Sequence, residues 1–309
     1  MSSGGITKGA LYIVTQRQVY LDLLRVSAGS LNRAMPDLPI TVFSQFPIES
    51  PLFERVILVQ ASEDGFYDKT RFLGESPYER TLFLDADTFV IEPVPELFTL
   101  LDHFDIAATH EEYIDTDWFG DYPRTDIPTS FPEFNTGVLI FKRSAVMQNF
   151  LQEWCALYDA YHHEKPERPL NDQPFFRAAM YSSALRMATL TREYNCKFRG
   201  QGYLNGRVKI LHGHHQFKLD EKHVERVIRA LNASTRPRVY IAGSVYEQKI
   251  VGRLEGQRTA HRVGTFPEPP ESMTHLRLKR LQTMWREQGT KKILSKGMRV
   301  ALRGNKRND

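Results

Sequence analysis

Residues 81–90 read TLFLDADTFV: a short apolar run that ends in two aspartates, Asp85 and Asp87, with one alanine between them. A run of this length without a polar face predicts a strand buried on both sides, as in a parallel sheet. Two carboxylates so close repel each other and are costly to bury, so they imply a positive partner. The plain alternative is a pair of solvated loop aspartates, and an isolated D-x-D has little specificity.

Working outward, the first half of the chain alternates strand-like and helix-like stretches. ALYIVT precedes VYLDLLRVSAGSLNRAM, and PITVFS, RVILVQ, a polar segment and TLFLDAD follow. That rhythm predicts βαβ units on a mixed, mostly parallel sheet flanked by helices, with ligands bound beyond the carboxyl ends of the strands. EPVPELFTLLDHF predicts a short helix opened by Pro93 and Pro95, and DIAATH and TGVLIFKRS predict strands. AVMQNFLQEWCALYDAYHH has helical spacing at Phe150, Trp154, Leu157 and Tyr161. NDQPFFRAAMYSS reads as a helix capped by Asn171, and LRMATL and RVKILHGHHQF as late strands. The segment 111–134, rich in aromatics, Asp and Pro, reads as an ordered loop serving a site.

The composition is that of a soluble globular chain: 309 residues, 41% apolar and 25% charged. No apolar run approaches twenty residues, and the start MSSGGITKGALYIVT lacks a basic stretch leading into a long apolar one. Neither a signal peptide nor a spanning helix is therefore expected. Cys155 and Cys196 fit neither a disulfide framework nor a zinc spacing, which suits a reducing cytoplasm. The net charge of +4 is uneven. Residues 276–309 hold eleven Lys or Arg against Glu287 and Asp309, a local +9, and the rest of the chain stands at −5.

Three further stretches accompany the aspartates. FNTGVLIF sets Asn135 and Gly137 at a buried strand, NDQPFF sets Asp172 and Gln173 at a helix start, and VKILHGHHQF ends an apolar strand in His212. In this order and spacing, over roughly residues 10–220, they resemble the retaining glycosyltransferases of family 8 and their relatives, which include glycogenin and bacterial galactosyltransferases. The resemblance implies a GT-A fold, Rossmann-like, for a catalytic domain drawn over residues 1–270; residues 271–309 read, by charge and helical spacing, as a basic amphipathic tail. It implies transfer of a sugar from a nucleotide-diphosphate donor, UDP-linked by preference, to a glycan or lipid-linked acceptor in polysaccharide biosynthesis. Asp85, Asp87 and His212 would hold Mn²⁺ or Mg²⁺, which suits a mixed oxygen and nitrogen ligand set. His214 and His215 are rivals for the third place.

The same resemblance gives Thr15, Gln16 and Tyr20 to the nucleotide, Lys69, Ala86 and Asn135 to the donor, and Asp172 and Gln173 to the neighbourhood of the anomeric carbon. The Lys-Pro-Trp run that often follows the family's histidine is absent, and Lys218 would reach the phosphates instead. Each assignment has a simpler rival. Tyr20 would share an apolar helix face with Leu24, Lys69 would be solvated, Asp172 would charge a helix start, and HGHH would be a surface turn.

Retention is implied by the resemblance, although an acid in segment 111–134 would serve as the base of an inverting enzyme. Trp118, Phe119 and Tyr122 of that segment would form an acceptor platform or a lid over the donor. The tail, with Leu278, Leu281, Met284 and Trp285 on one helical face, would either lie on an anionic membrane from the cytoplasmic side or pack on the domain. Its basic residues lack interleaved stacking aromatics, which argues against nucleic acid. Two rivals in function stand beside the transferase: a sugar nucleotidyltransferase, which would need a glycine-rich basic loop that IVTQRQVY lacks, and a non-catalytic partner of the same fold.

Overall fold

The computed structural model describes residues 7–62, 64–112, 126–164, 171–213, 221–249 and 259–265. Trp118, Phe119, Tyr122, His214, His215, Lys218 and the basic tail lie outside the described residues. The chain divides into a compact unit ending at Gly264 and a second from Thr265 to Asp309.

Seven strands form the main sheet: β1 (Lys8–Val14), β2 (Ile40–Ser44), β3 (Arg55–Leu58), β4 (Arg80–Leu84), β6 (Ile106–His110), β7 (Phe134–Lys142) and β8 (Met187–Leu190). Their order is β3-β2-β1-β4-β7-β6-β8. All neighbours are parallel except that β7 runs antiparallel to both β4 and β6, so the sheet is mixed and mostly parallel, as expected. The run in β4 is buried throughout from Thr81 to Leu84, and β7 is buried from Phe134 to Phe141. Such strands lie between two helical layers rather than facing water.

Helices α1 (Val19–Ala34) and α3 (Glu96–Leu100) pack on one face, α2 (Gly65–Leu73), α4 (Ala145–Glu164) and α5 (Gln173–Ser182) on the other. The segment between β3 and β4, read from sequence only as polar, contains α2. Asp64 caps it by accepting from the backbone N–H groups of Phe66 and Tyr67. The late strand is shorter than RVKILHGHHQF suggested: β11 covers Ile210–His212 and ends at Gly213, which has a φ of 84°. It joins a small sheet in the order β5-β11-β9, with β5 at Thr88–Val90 and β9 at Cys196–Lys197. A four-stranded sheet, absent from the sequence reading, combines β10 (Gln201–Leu204), β12 (Arg238–Ile241), β13 (Ser244–Lys249) and β14 (Thr259–Thr265). Helix α6 (Glu221–Leu231) precedes β12.

The packing on the α4 side fixes the start of α5. Trp154 lies edge-on to Phe176, with ring centroids 5.0 Å apart, and its indole Nε1 donates to the carbonyl of Asp172 at 3.0 Å. Trp154 is fully buried, so this bond holds one end of the site to the core. Asp172, not Asn171, occupies the N-cap position; the Asn171 side chain accepts from the Gln173 backbone N–H at 3.3 Å. Trp154→Phe keeps most of the apolar bulk and removes the donor. Urea unfolding should show a loss of about 2 kcal/mol, from one unsatisfied buried carbonyl and a small void.

Candidate functional site

The DAD turn connects β4 to β5, and both neighbours of this turn carry site residues. The Asp85 backbone N–H donates to the Gly137 carbonyl at 2.8 Å, continuing the β4–β7 ladder. On the other side, β11 pairs antiparallel with β5, with His212 opposite Thr88, and the Gly213 N–H donates to the Asp87 carbonyl at 2.9 Å. This register sets the imidazole over the carboxylates: His212 Nε2 is 3.3 Å from Asp87 Oδ1 and 3.9 Å from Asp85 Oδ2. One ligand atom from each of the three lies within 4.8 Å of the other two. Two adjacent ligands of a six-coordinate ion with bonds of about 2.1 Å stand about 3 Å apart, so the trio is close to the size that a divalent cation needs.

Gly137 makes that approach possible. A Cβ there would stand 2.2 Å from His212 Cε1 and 2.9 Å from Asp85 Oδ2. The ring is oriented from behind by Asn195, whose Oδ1 is 2.9 Å from His212 Nδ1. A partner on Nδ1 leaves Nε2 aimed at the aspartates, the usual support for a ligating histidine. Burial pushes the Asp85 carboxyl above the ordinary carboxylate range; Lys69 and His212 oppose this, and Asp87 and Asp172 add to it.

Lys69 is buried, so its reading as a solvated helix lysine is corrected. From the middle of α2 its Nζ stands 3.1 Å from Asp85 Oδ1 and 3.2 Å from Asp172 Oδ2, and donates to Thr136 Oγ1 at 3.0 Å. Burial opposes its charge, but the two carboxylates prevail and raise its pKa. Asp172 is buried as well, and Thr136 Oγ1 donates to its Oδ2 at 2.6 Å. It makes no side-chain cap for α5, so its alternative as a helix-start charge gives way to that of a buried partner for Lys69.

Gln173 and Asn135 form a second cluster with two acids. Asn135 Nδ2 donates to Glu111 Oε2 at 2.8 Å and to Gln173 Oε1 at 3.0 Å, and Asn135 Oδ1 accepts from Gly137 N and Asn195 Nδ2. Gln173 Nε2 donates to Glu111 Oε2 at 3.0 Å and to Glu133 Oε1 at 3.3 Å. Lys197 reaches both oxygens of Glu111, at 3.0 and 2.9 Å. Burial works against ionisation of Glu111, yet Lys197 and the hydrogen bonds prevail and bring its pKa down to about 2.

The nucleotide-side residues are arranged differently. Thr15 is buried beside the start of α2. Gln16 has a φ of 73°, a left-handed conformation uncommon for a side chain of its size, and its amide nitrogen donates to Asp68 Oδ2 at 3.2 Å and to the Ser62 carbonyl. In this conformation the Gln16 side chain faces α2. Tyr20 is 38% exposed while Leu24 is fully buried, so the shared apolar face does not form and Tyr20 is left open to solvent. Ala86 is partly buried against the core below the turn. The sequence reading passed over Glu111, Glu133, Thr136, Asn195 and Lys197 as site residues. Glu133 and Thr136 flank Asn135 and could have been suspected from that alone; Asn195 and Lys197 join only through the pairing of β9 with β11, where Lys197 stands opposite His212.

Residues 71–223, close to half of the chain, match the profile described as glycosyl transferase family 8. No curated protein sequence matches the chain. Among solved structures, the glycosyltransferase GlyE of Streptococcus pneumoniae TIGR4 is 18% identical, covering 62% of this chain and 47% of its own, with a TM-score of 0.45. Mouse xyloside xylosyltransferase 1 in its apo form is 18% identical over 67% of this chain and 97% of its own, with a TM-score of 0.44. The bifunctional glycosyltransferase WbbM in its apo form is 14% identical over 65% of this chain and 41% of its own, with a TM-score of 0.45. The chain thus spans less than half the length of GlyE and of WbbM. Residues 71–223 thus resemble glycosyl transferase family 8, and the mixed, mostly parallel sheet between two helical layers is the architecture that this resemblance implies.

Proposed function

We propose that this protein transfers a sugar, with retention, from a UDP-linked donor to a glycan or lipid-linked acceptor, using a divalent cation held by Asp85, Asp87 and His212. The observation that carries the reading is the convergence of those three side chains over Gly137, within a region that matches family 8. A bound Mn²⁺ or Mg²⁺ would act as a Lewis acid on the diphosphate and offset the charge that develops on the leaving oxygen. Lys69 adds a fixed positive charge behind Asp85 and, through Asp172, ties the metal side to the sugar side.

On the sugar side the chemistry is assigned to Gln173 and Asp172. Both N–H groups of Gln173 are committed to carboxylates, so its Oε1, with one lone pair toward Asn135 and one spare, is the atom left for an electron-poor anomeric centre. Tyr20, exposed at the start of α1, remains the proposed stacking face for the base. The state of Glu111 withdraws that one acid as the base of an inverting route. Five hydrogen bonds fill its two oxygens and its pKa is about 2, so it is a poor base. Lys218, the acceptor platform of Trp118, Phe119 and Tyr122 in segment 111–134, and the membrane-facing tail of a cytoplasmic enzyme stay in the proposal on sequence grounds.

Three outcomes are expected. In thermal shift, UDP with Mn²⁺ at about a hundred times its dissociation constant should add about 2.7 kcal/mol of stability, and EDTA or Asp87→Asn should abolish the gain. A panel in which UDP, GDP and CMP all fail with metal would sink the donor assignment. Gly137→Ala should fold, yet weaken Mn²⁺ affinity by about 10- to 100-fold in calorimetry, because the new methyl group displaces His212. Unchanged affinity would remove His212 from the ligand set. The third concerns acid stability. Glu111 is depressed from 4.5 to about 2, so its contribution is complete above about pH 4.5 and is lost as pH falls toward 2. Urea titrations of wild type and Glu111→Gln should therefore differ by about 3 kcal/mol near neutrality and converge over that window; parallel curves would contradict the ion pair.

A further inference from the structure

Strand β9 is only two residues long, yet the chain around it serves both halves of the site. Asn195 and Lys197 are two positions apart, the spacing that puts side chains on one side of an extended chain. Asn195 touches His212 and Asn135, and Lys197 grips both oxygens of Glu111. Glu111 is 2% exposed and Lys197 29% exposed in their side chains, so the pair sits at the boundary between interior and solvent.

What Glu111 does with that charge is visible in its other bonds. Its Oε2 accepts from both Asn135 and Gln173, and Glu133 accepts from the same Gln173 nitrogen. An ionised Glu111 is an acceptor only, Glu133 accepts from the same nitrogen, and Asn135 Nδ2 donates to the Gln173 oxygen, so the amide has one orientation: NH₂ toward the acids, oxygen toward the Asn135 donor. If Glu111 lost its cation, its buried carboxylate would be less well compensated, and a proton taken up there would remove one of the acceptors that hold the NH₂, leaving Glu133 and the Asn135 donor to oppose the reversed amide. A reversed amide would present its NH₂, a donor, where the reaction needs an acceptor.

We propose that Lys197 is a positioning residue: by pairing with Glu111 it keeps the Gln173 amide oxygen directed into the site, while making no contact of its own with the transferred sugar. The kinetic half of this inference rests on the glycosyltransferase reading above; the orientation of Gln173 does not.

The test uses the full chain, Lys197→Met and Lys197→Arg, each accepted only if its melting temperature lies within a few degrees of wild type. The Gln173 side-chain NH₂ resonances, assigned by their loss in Gln173→Met, report the amide directly. In Lys197→Met their hydrogen exchange should accelerate at least about tenfold relative to wild type, and Lys197→Arg should restore protection. UDP release from UDP-glucose or UDP-galactose should fall about 100-fold in kcat in Lys197→Met, with KM and the affinity for UDP plus Mn²⁺ within about threefold of wild type. Unchanged Gln173 exchange in Lys197→Met overturns the proposal, as does a loss of UDP affinity in step with kcat, which would make Lys197 a donor ligand. If wild type neither binds UDP with Mn²⁺ nor releases it from either donor, the function reading has failed, and the exchange comparison by itself upholds or overturns the role of Lys197.

Discussion

The site depends on one ammonium group. Lys69 stands between Asp85 and Asp172, on strands and helices that are far apart in sequence, and its side chain is almost entirely removed from water. A buried cation of this kind is tolerable only with carboxylates beside it, and the carboxylates are tolerable only with the cation. Phe83 of β4 adds its ring face 5.2 Å from the ammonium, a further favourable contact that costs no additional charge. The consequence is geometric as much as energetic. Helix α2, the end of β4 and the start of α5 cannot shift independently without exposing an unpaired charge to an apolar interior, so the two halves of the site are held at one spacing.

Lys69 answers Asp172 and both oxygens of Asp85, while Asp87 Oδ1 and Asp85 Oδ2 stand 3.3 and 3.9 Å from His212 Nε2. The region is braced from beneath by a buried hydroxyl chain: Tyr12 to Ser27, Ser27 to Thr88, and Thr88 to the Asp85 carbonyl. Such a chain fixes the turn from β4 to β5 without contributing charge, which separates the task of holding the backbone from the task of presenting the carboxylates. Preorganisation of this type is what electrostatic catalysis requires, because donors and acceptors already in place need no rearrangement during reaction.

How far the sequence predicts this arrangement follows from the range of each interaction. The main-sheet strands up to β7 and the DAD turn were legible because their signal is local: a buried apolar run and a change of composition at its end. His212 was legible for the same reason, at the end of a short apolar stretch. Helix α2 was not, since its buried face includes Asp68, Lys69 and Thr70, polar residues that count against burial unless their partners are known. Nor were Asn195 and Lys197. They acquire their meaning only when β9 aligns beside β11, a pairing between segments too short for any period to register. The cap expected at Asn171 is met in part: its side chain accepts from the Gln173 N–H, while the N-cap position falls on Asp172, whose side chain makes no cap because it faces Lys69.

Saturation of the inner cluster bears on how the reaction can proceed. Glu111 and Asn135 have their hydrogen-bonding capacity filled by neighbours, and Gln173 retains a single acceptor position. A side chain whose every polar atom is engaged can orient others but cannot move a proton without first breaking a bond in a low-dielectric interior, where each such bond is strong. The network therefore withdraws the most conspicuous acid of the 111–134 segment from proton transfer and leaves an amide oxygen and the Lys69-paired Asp172 as the groups nearest in character to what a positive anomeric centre would seek. Such a centre is better matched by a fixed dipole than by a mobile base, since a dipole held in place by two carboxylates costs nothing to reorganise. In the proposed reaction, Glu111 and Glu133 belong to the frame that aims the neutral Gln173 amide.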